Sequence, residues 1–154
     1  MKKTILTLVV ALVAAFSANA FDMGKMSIGA EYNYASKGGL SGFGVQMQYQ
    51  LPIAHLRVAP EFNYFFGKKE HADRFNVNVN LHYMINSGSG FDLYPLAGIS
   101  YANLGKDVNR LGANVGCGAE YNITGQIGIF CEERLQLMKD CTQFVTAIGV
   151  KYSF

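Results

Sequence analysis

Three histidines and three cysteines are the residues best able to do chemistry in this 154-residue sequence. His71 lies beside Glu70 and Asp73, the one histidine–carboxylate cluster on a loop. A hydrolytic triad needs a nucleophile, a base and an orienting acid in mutual reach, and no serine is near His71 in sequence. A solvated loop accounts for the cluster, so no catalytic residues and no enzyme activity are expected. His55 and His82 stand apart from it, and no histidine is spaced with cysteine or carboxylate as metal ligands are. Phosphate loops and dinucleotide fingerprints are absent from the sequence, so no cofactor or metal is expected. The remaining candidates are charges that recur at one phase of an alternating pattern: Glu31, Arg57, Glu61, Arg74, Asp92, Glu120, Glu132, Arg134 and Lys151.

That pattern has a period of two and occurs eight times, so it predicts an all-β chain. The strands are expected at about 26–35, 42–51, 56–66, 74–85, 91–102, 111–123, 126–137 and from Thr142 to the end. The fourth is the cleanest: Phe75, Val77, Val79, Leu81, Tyr83 and Ile85 alternate with Arg74, Asn76, Asn78, Asn80 and His82. Short connections (51–55, 86–90, 123–125) alternate with somewhat longer ones (36–41, 67–73, 103–110, 138–141), and the longer set holds most of the loop charge. Glu133 interrupts an apolar face, which predicts a bulge or a strand end above the membrane. Pro60 and Pro95 fall inside strands, where each removes a ladder donor, and bulges are the expected accommodation.

The direction of the apolar face separates a soluble barrel from a membrane barrel. Rings gather at strand ends: Tyr32, Tyr34, Phe43, Phe62, Tyr64, Phe75, Tyr101 and Phe144 at one end, and Tyr49, Tyr83, Phe91, Tyr121, Tyr152 and Phe154 at the other. Strand middles are aliphatic. Two aromatic belts around an aliphatic band suit a lipid bilayer, so the apolar face is expected to point outward. Residues 1–20 combine Lys2 and Lys3, an apolar run and Ala18-Asn19-Ala20, the pattern of a cleaved secretory signal, which leaves 21–154 as one domain. Losing the two lysines balances acidic and basic residues, so no field argues for nucleic acid.

Gly149-x-x-Tyr152-x-Phe154 resembles the sorting signal that the barrel-assembly machinery reads on the last strand of bacterial outer-membrane barrels, with Ala147 where a polar residue is usual. Residues 93–105 and 112–134 resemble strands five to seven of small eight-stranded outer-membrane barrels of the OmpA type and the opacity-protein type. The resemblance implies a closed, antiparallel, up-and-down transmembrane β-barrel in the outer membrane of a Gram-negative bacterium. It implies both termini on the periplasmic side, contact with outer-membrane lipid and lipopolysaccharide, and roles ranging from structural anchor or adhesin to narrow porin-like channel. A peptidoglycan-binding domain is not expected after the eighth strand, and a monomer is expected. Paired and bridging charges are expected to seal the lumen, with Arg57, Asp92, Glu120 and Lys151 in a lower layer and Glu31, Glu61, Arg74, Glu132 and Arg134 in an upper one. Gln46, Gln48, Asn63, Asn78 and Asn114 are expected between them. Among the cysteines, a turn at 123–125 would set Cys117 opposite Cys131, with free lipid-facing thiols favoured over a disulfide.

Overall fold

The computed structural model describes residues 25–53, 55–67, 73–104 and 108–154. The signal segment, the His71–Glu70 pair and Lys68, Lys69 and Lys106 lie outside the described residues.

Eight long strands form one antiparallel sheet: β1 (Met26–Ala35), β2 (Leu40–Gln50), β3 (Leu56–Phe65), β4 (Arg74–Tyr83), β5 (Phe91–Asn103), β6 (Asn109–Asn122), β7 (Ile127–Met138) and β8 (Gln143–Ser153). A two-residue strand, Ile85–Asn86, continues β4 along the same neighbour, β5. Each strand pairs with the next, and β1 pairs with β8 from Ser27↔Ser153 to Ala35↔Val145, so the sheet closes on itself. Closure matters physically because an open edge would leave N–H and C=O groups unpaired in a hydrocarbon solvent.

Strand period decides what the barrel holds. Burial alternates residue by residue along β1, β5, β7 and β8. The buried set is dominated by Glu, Asn, Gln, Arg and Lys, whereas Ile28, Val45, Leu81, Ile99, Leu111, Val115, Ile129, Ile148 and Val150 point out. This is the inverse of a soluble core and matches the lipid-facing expectation. The belts are present as ring pairs. Tyr32–Phe43 (5.9 Å), Phe43–Phe66 (6.0 Å) and Phe62–Phe75 (6.2 Å) lie at the loop end, and Tyr152–Phe154 (5.3 Å) at the end where β1 starts and β8 finishes.

Neither proline makes a bulge. The β2–β3 ladder lapses opposite Pro60 between Gln46↔Glu61 and Tyr49↔Val58, then resumes in unchanged register. On its other side Pro60 pairs with Val79 in an unbroken ladder. Pro95 likewise keeps its pairing with Cys117 on β6, and the gap falls between β4 and Ile85–Asn86. A missing N–H faces only one neighbour, so one ladder loses a rung and the other keeps its own. Glu133 makes no bulge either: β7 pairs without interruption as Cys117↔Glu133 and Glu133↔Thr146.

The β6–β7 turn corrects the cysteine register. Thr124 Oγ1 accepts hydrogen bonds from the Gln126 (3.2 Å) and Ile127 (2.9 Å) amides, and the Ile123 amide donates to the Ile127 carbonyl at 2.8 Å. The loop is therefore 124–126, one residue later than expected, because a threonine hydroxyl closes the turn locally. Cys117 then faces Glu133, Cys131 faces Ala119, and all three cysteines are free. The terminal Phe154 is paired through its amide to the Met26 carbonyl (3.0 Å), and its ring is exposed on the outer face.

Candidate functional site: the charged lumen

The inward phase of all eight strands converges on the barrel axis. Of the nine charges expected there, Glu31, Arg57, Glu61, Asp92, Glu120, Glu132, Arg134 and Lys151 are buried. Arg74 sits half-buried at the loop end of β4, and its Nε and Nη1 have no hydrogen-bond partner. It joins no ion pair among the described residues, which removes it from the expected upper layer. Its strand position, opposite Phe65 at the rim, places it too high to reach the carboxylates.

The lower cluster forms near the end that carries β1's start and β8's finish. Glu120 takes Arg57 on one oxygen (2.8 Å) and Lys151 on the other (2.5 Å). Asp92 is held instead by amides, Asn86 Nδ2 at 3.1 Å and Asn122 Nδ2 at 3.5 Å. A polar vestibule of about 510 Å³ opens at this end, lined among others by Gln48, Gln50, Arg57, Asp92, Glu120 and Lys151.

The upper cluster is centred on Arg134, which is fully enclosed. Its Nη1 donates to Glu61, with Glu132 at 3.8 Å and Glu31 at 4.0 Å from the guanidinium. Amide donors supplement this one cation among three carboxylates on Glu31 Oε1, both oxygens of Glu61 and Glu132 Oε1, while Glu31 Oε2 and Glu132 Oε2 take no hydrogen bond among the described residues. Asn33 donates to Glu31 at 2.9 Å, Asn78 and Asn80 to Glu61 at 3.3 Å each, and Gln46 to Glu132 at 3.3 Å. Burying charge without such partners is costly, so the Asn and Gln on these strands are part of the same construction. Above them Asn114, Asn78, Gln136 and Gln143 continue a chain of side-chain hydrogen bonds at 2.9–3.2 Å.

Two aromatic residues join the clusters, and the sequence reading assigned them no role. Tyr94 donates to Glu132 at 2.8 Å, stacks on His82 (4.7 Å between centroids, 11°) and lies under the Arg57 guanidinium at 4.9 Å. His82 Nδ1 in turn meets Arg57 Nη2 at 3.1 Å. Tyr94 fits because its cross-strand neighbour is Gly118; a Cβ there would overlap the phenol ring. Phe130 lies the same way across from Gly149 and close to Gly29. A glycine directly opposite an inward ring is the signal that locates both, and it needs the register to be visible.

Apolar side chains are buried at the loop end of the barrel. Ala35, Leu40, Phe65 and Val145 form one buried cluster, and Ala102, Met138 and Cys141 another. Outside it, the Asp73 carboxylate accepts from the Tyr64 hydroxyl (2.6 Å) and the Gly67 amide (2.8 Å), and the tyrosine hydrogen bond holds Asp73 below the usual carboxylate range.

A closed antiparallel barrel with a packed polar interior, an apolar exterior and two ring belts is an integral outer-membrane β-barrel. The chain belongs to the outer membrane protein beta-barrel domain family, whose model matches residues 5–154. No curated protein matches it in sequence. Its fold is similar to the N-terminal β-barrel domain of Pseudomonas aeruginosa OprF (18% identity, 83% of this chain and 97% of that one, TM-score 0.63). It is also similar to Neisserial surface protein A (19%, 84% and 96%, TM-score 0.64) and to Ail, the attachment invasion locus protein of Yersinia pestis (17%, 84% and 96%, TM-score 0.60). At these identities the likeness concerns the fold.

Proposed function

We propose that the chain is a structural and surface-interaction component of the outer membrane whose lumen does not conduct. The observation that carries this is Arg134, enclosed among Glu31, Glu61 and Glu132, with the Leu40–Phe65 cluster above it and the Arg57–Tyr94–His82 stack below. Eight strands enclose little more than their own side chains, so three layers in series block the axis. A role outside catalysis fits a site whose charges are spent on one another.

Surface contact would fall to the loop end. Lys37 donates to the Asp140 carbonyl at 2.6 Å, and Arg110 lies 3.6 Å from the Asp140 carboxylate. Together with Lys139 and the cations outside the described residues, they suit lipopolysaccharide phosphates. The name of Ail, an attachment protein of the same fold, agrees with a surface role. Export by cleavage after residue 20 and recognition of Gly149, Tyr152 and Phe154 by the barrel-assembly machinery complete the reading. Tyr152 and Phe154 face lipid at the terminal end, where an insertion factor could meet them.

The polar vestibule favours a second reading, a narrow porin-like channel. Planar-bilayer recording of the purified barrel separates the two. No stable conductance supports the sealed component, and steady ohmic conductance supports the channel.

A further inference from the structure

The lipid face carries one feature that a bilayer does not favour. Glu133 points outward from the middle of β7, between Cys131 and Leu135. Its depth follows from the register: Ile129, two pairs below, faces Tyr121 of one belt, and Leu135, just above, faces Phe144 of the other. The carboxyl group therefore lies within the hydrocarbon band. Thr146 on β8 donates to Glu133 Oε2 at 2.6 Å, and Oε1 has no donor among the described residues. An ionisable side chain at this position costs free energy and marks a function by default.

Beside Glu133 the wall is hollow. A depression of about 430 Å³ runs along β5–β7 and is lined mostly by small residues (Pro95, Cys117, Gly118, Ala119 and Cys131), together with Leu93, Tyr94 and Glu133. On the other side of Glu133, on β8, stand the exposed Phe144 and Ile148, with the exposed Leu137 above it on β7. Groove, carboxyl and ridge thus occur side by side on one face.

We propose that this face is where a second copy of the chain docks by two-fold symmetry, with the two Glu133 side chains meeting across the axis. A patch with a groove on one side and a ridge on the other is complementary to itself under a two-fold rotation. Small residues allow the close approach by which membrane segments associate. Two carboxyl groups at one site share a proton; the Thr146 hydroxyl keeps its donor on Glu133 Oε2 of its own chain, and the cross-strand Cys117 thiol offers a weak donor from each copy. A partner bringing Lys or Arg to this depth would carry a larger cost of its own than a second Glu. Barrel closure removes sheet edges and leaves faces free, so a chain that closes its own barrel can still pair.

The native thiols test this. The mature protein is reconstituted in phosphatidylethanolamine–phosphatidylglycerol vesicles, diluted in lipid, oxidised with copper–phenanthroline and run on a non-reducing gel. A dimer band that persists on dilution and vanishes in a Cys117→Ser/Cys131→Ser variant is expected. Glu133→Leu should weaken the dimer about tenfold or more, and Glu133→Gln, which keeps a hydrogen-bonding head, should largely retain it. The gel shift on boiling confirms that each variant is folded, and photobleaching steps of labelled protein count copies without crosslinking. Monomers at every dilution overturn the proposal, as does a dimer indifferent to Glu133→Leu or one crosslinked only through Cys141. Binding of a model transmembrane peptide with a central Arg at Glu133, without self-association, also overturns it.

Discussion

Arg134 shows what a single buried charge does here. Among the described residues it is the only Lys or Arg within 4.0 Å of Glu31, Glu61 and Glu132, so Arg134→Ala leaves three buried carboxylates without that partner. Breaking such a cluster from one side should destabilise the barrel by about 3–5 kcal/mol, read as the shift of the denaturant midpoint in detergent micelles. Glu133→Leu should act in the opposite direction. Removing a lipid-facing carboxyl should stabilise the dispersed monomer by about 1 kcal/mol in the same titration. Both residues were legible in the sequence as charges at a given phase, because side-chain direction in a strand alternates strictly. Their partners were less so. Arg74 has the right phase and sits too near the rim, and Cys117 missed Cys131 because the Thr124 hydroxyl moved the turn by one residue. Phase is a property of one strand, whereas height and opposition depend on every turn.

At the level of the strand pair, the glycines and rings specify one another. Tyr94 occupies the space that a side chain at position 118 would need, and Phe130 does the same at 149. Gly118→Ala should therefore destabilise by about 1–3 kcal/mol through overpacking, with Tyr94 held in place by His82, Arg57 and Glu132. In the Gly118→Ala/Tyr94→Leu double variant the two effects should fall short of additivity by about 1 kcal/mol, because the clash disappears with the ring. Additive losses would place the glycine's role elsewhere. Five of the eight strands both start and end within one residue of the period-two reading, since alternation outlasts every local irregularity. Pro60, Pro95 and Glu133 each suggested a bulge. None forms one, because a bulge would flip every later residue to the wrong face, and a lost hydrogen-bond rung or a single exposed carboxyl is the smaller cost.

Across the whole molecule, barrel closure and the proposed plugging belong together. The β1–β8 seam is completed by the Ser27–Ser153 hydroxyl contact at 2.9 Å and the Phe154 amide bond to Met26. The folded chain should stay compact in SDS until boiled and then migrate as a larger species, and one mobility at all temperatures would contradict closure. In the proposed sealed barrel the Leu40–Phe65 cluster, the Arg134 carboxylate cluster and the Arg57–Tyr94–His82 stack act as three layers in series. In a series arrangement the tightest remaining layer limits the current. Native protein should show no stable conductance, and Arg134→Ala or Glu61→Ala should add only brief openings while the other two layers hold. Phe65→Ala combined with Arg134→Ala should raise open time by more than the two single changes together, because two of the three layers are then gone. Steady conductance in the native barrel, unchanged by any of these substitutions, would mean that ions bypass all three layers and would favour the channel.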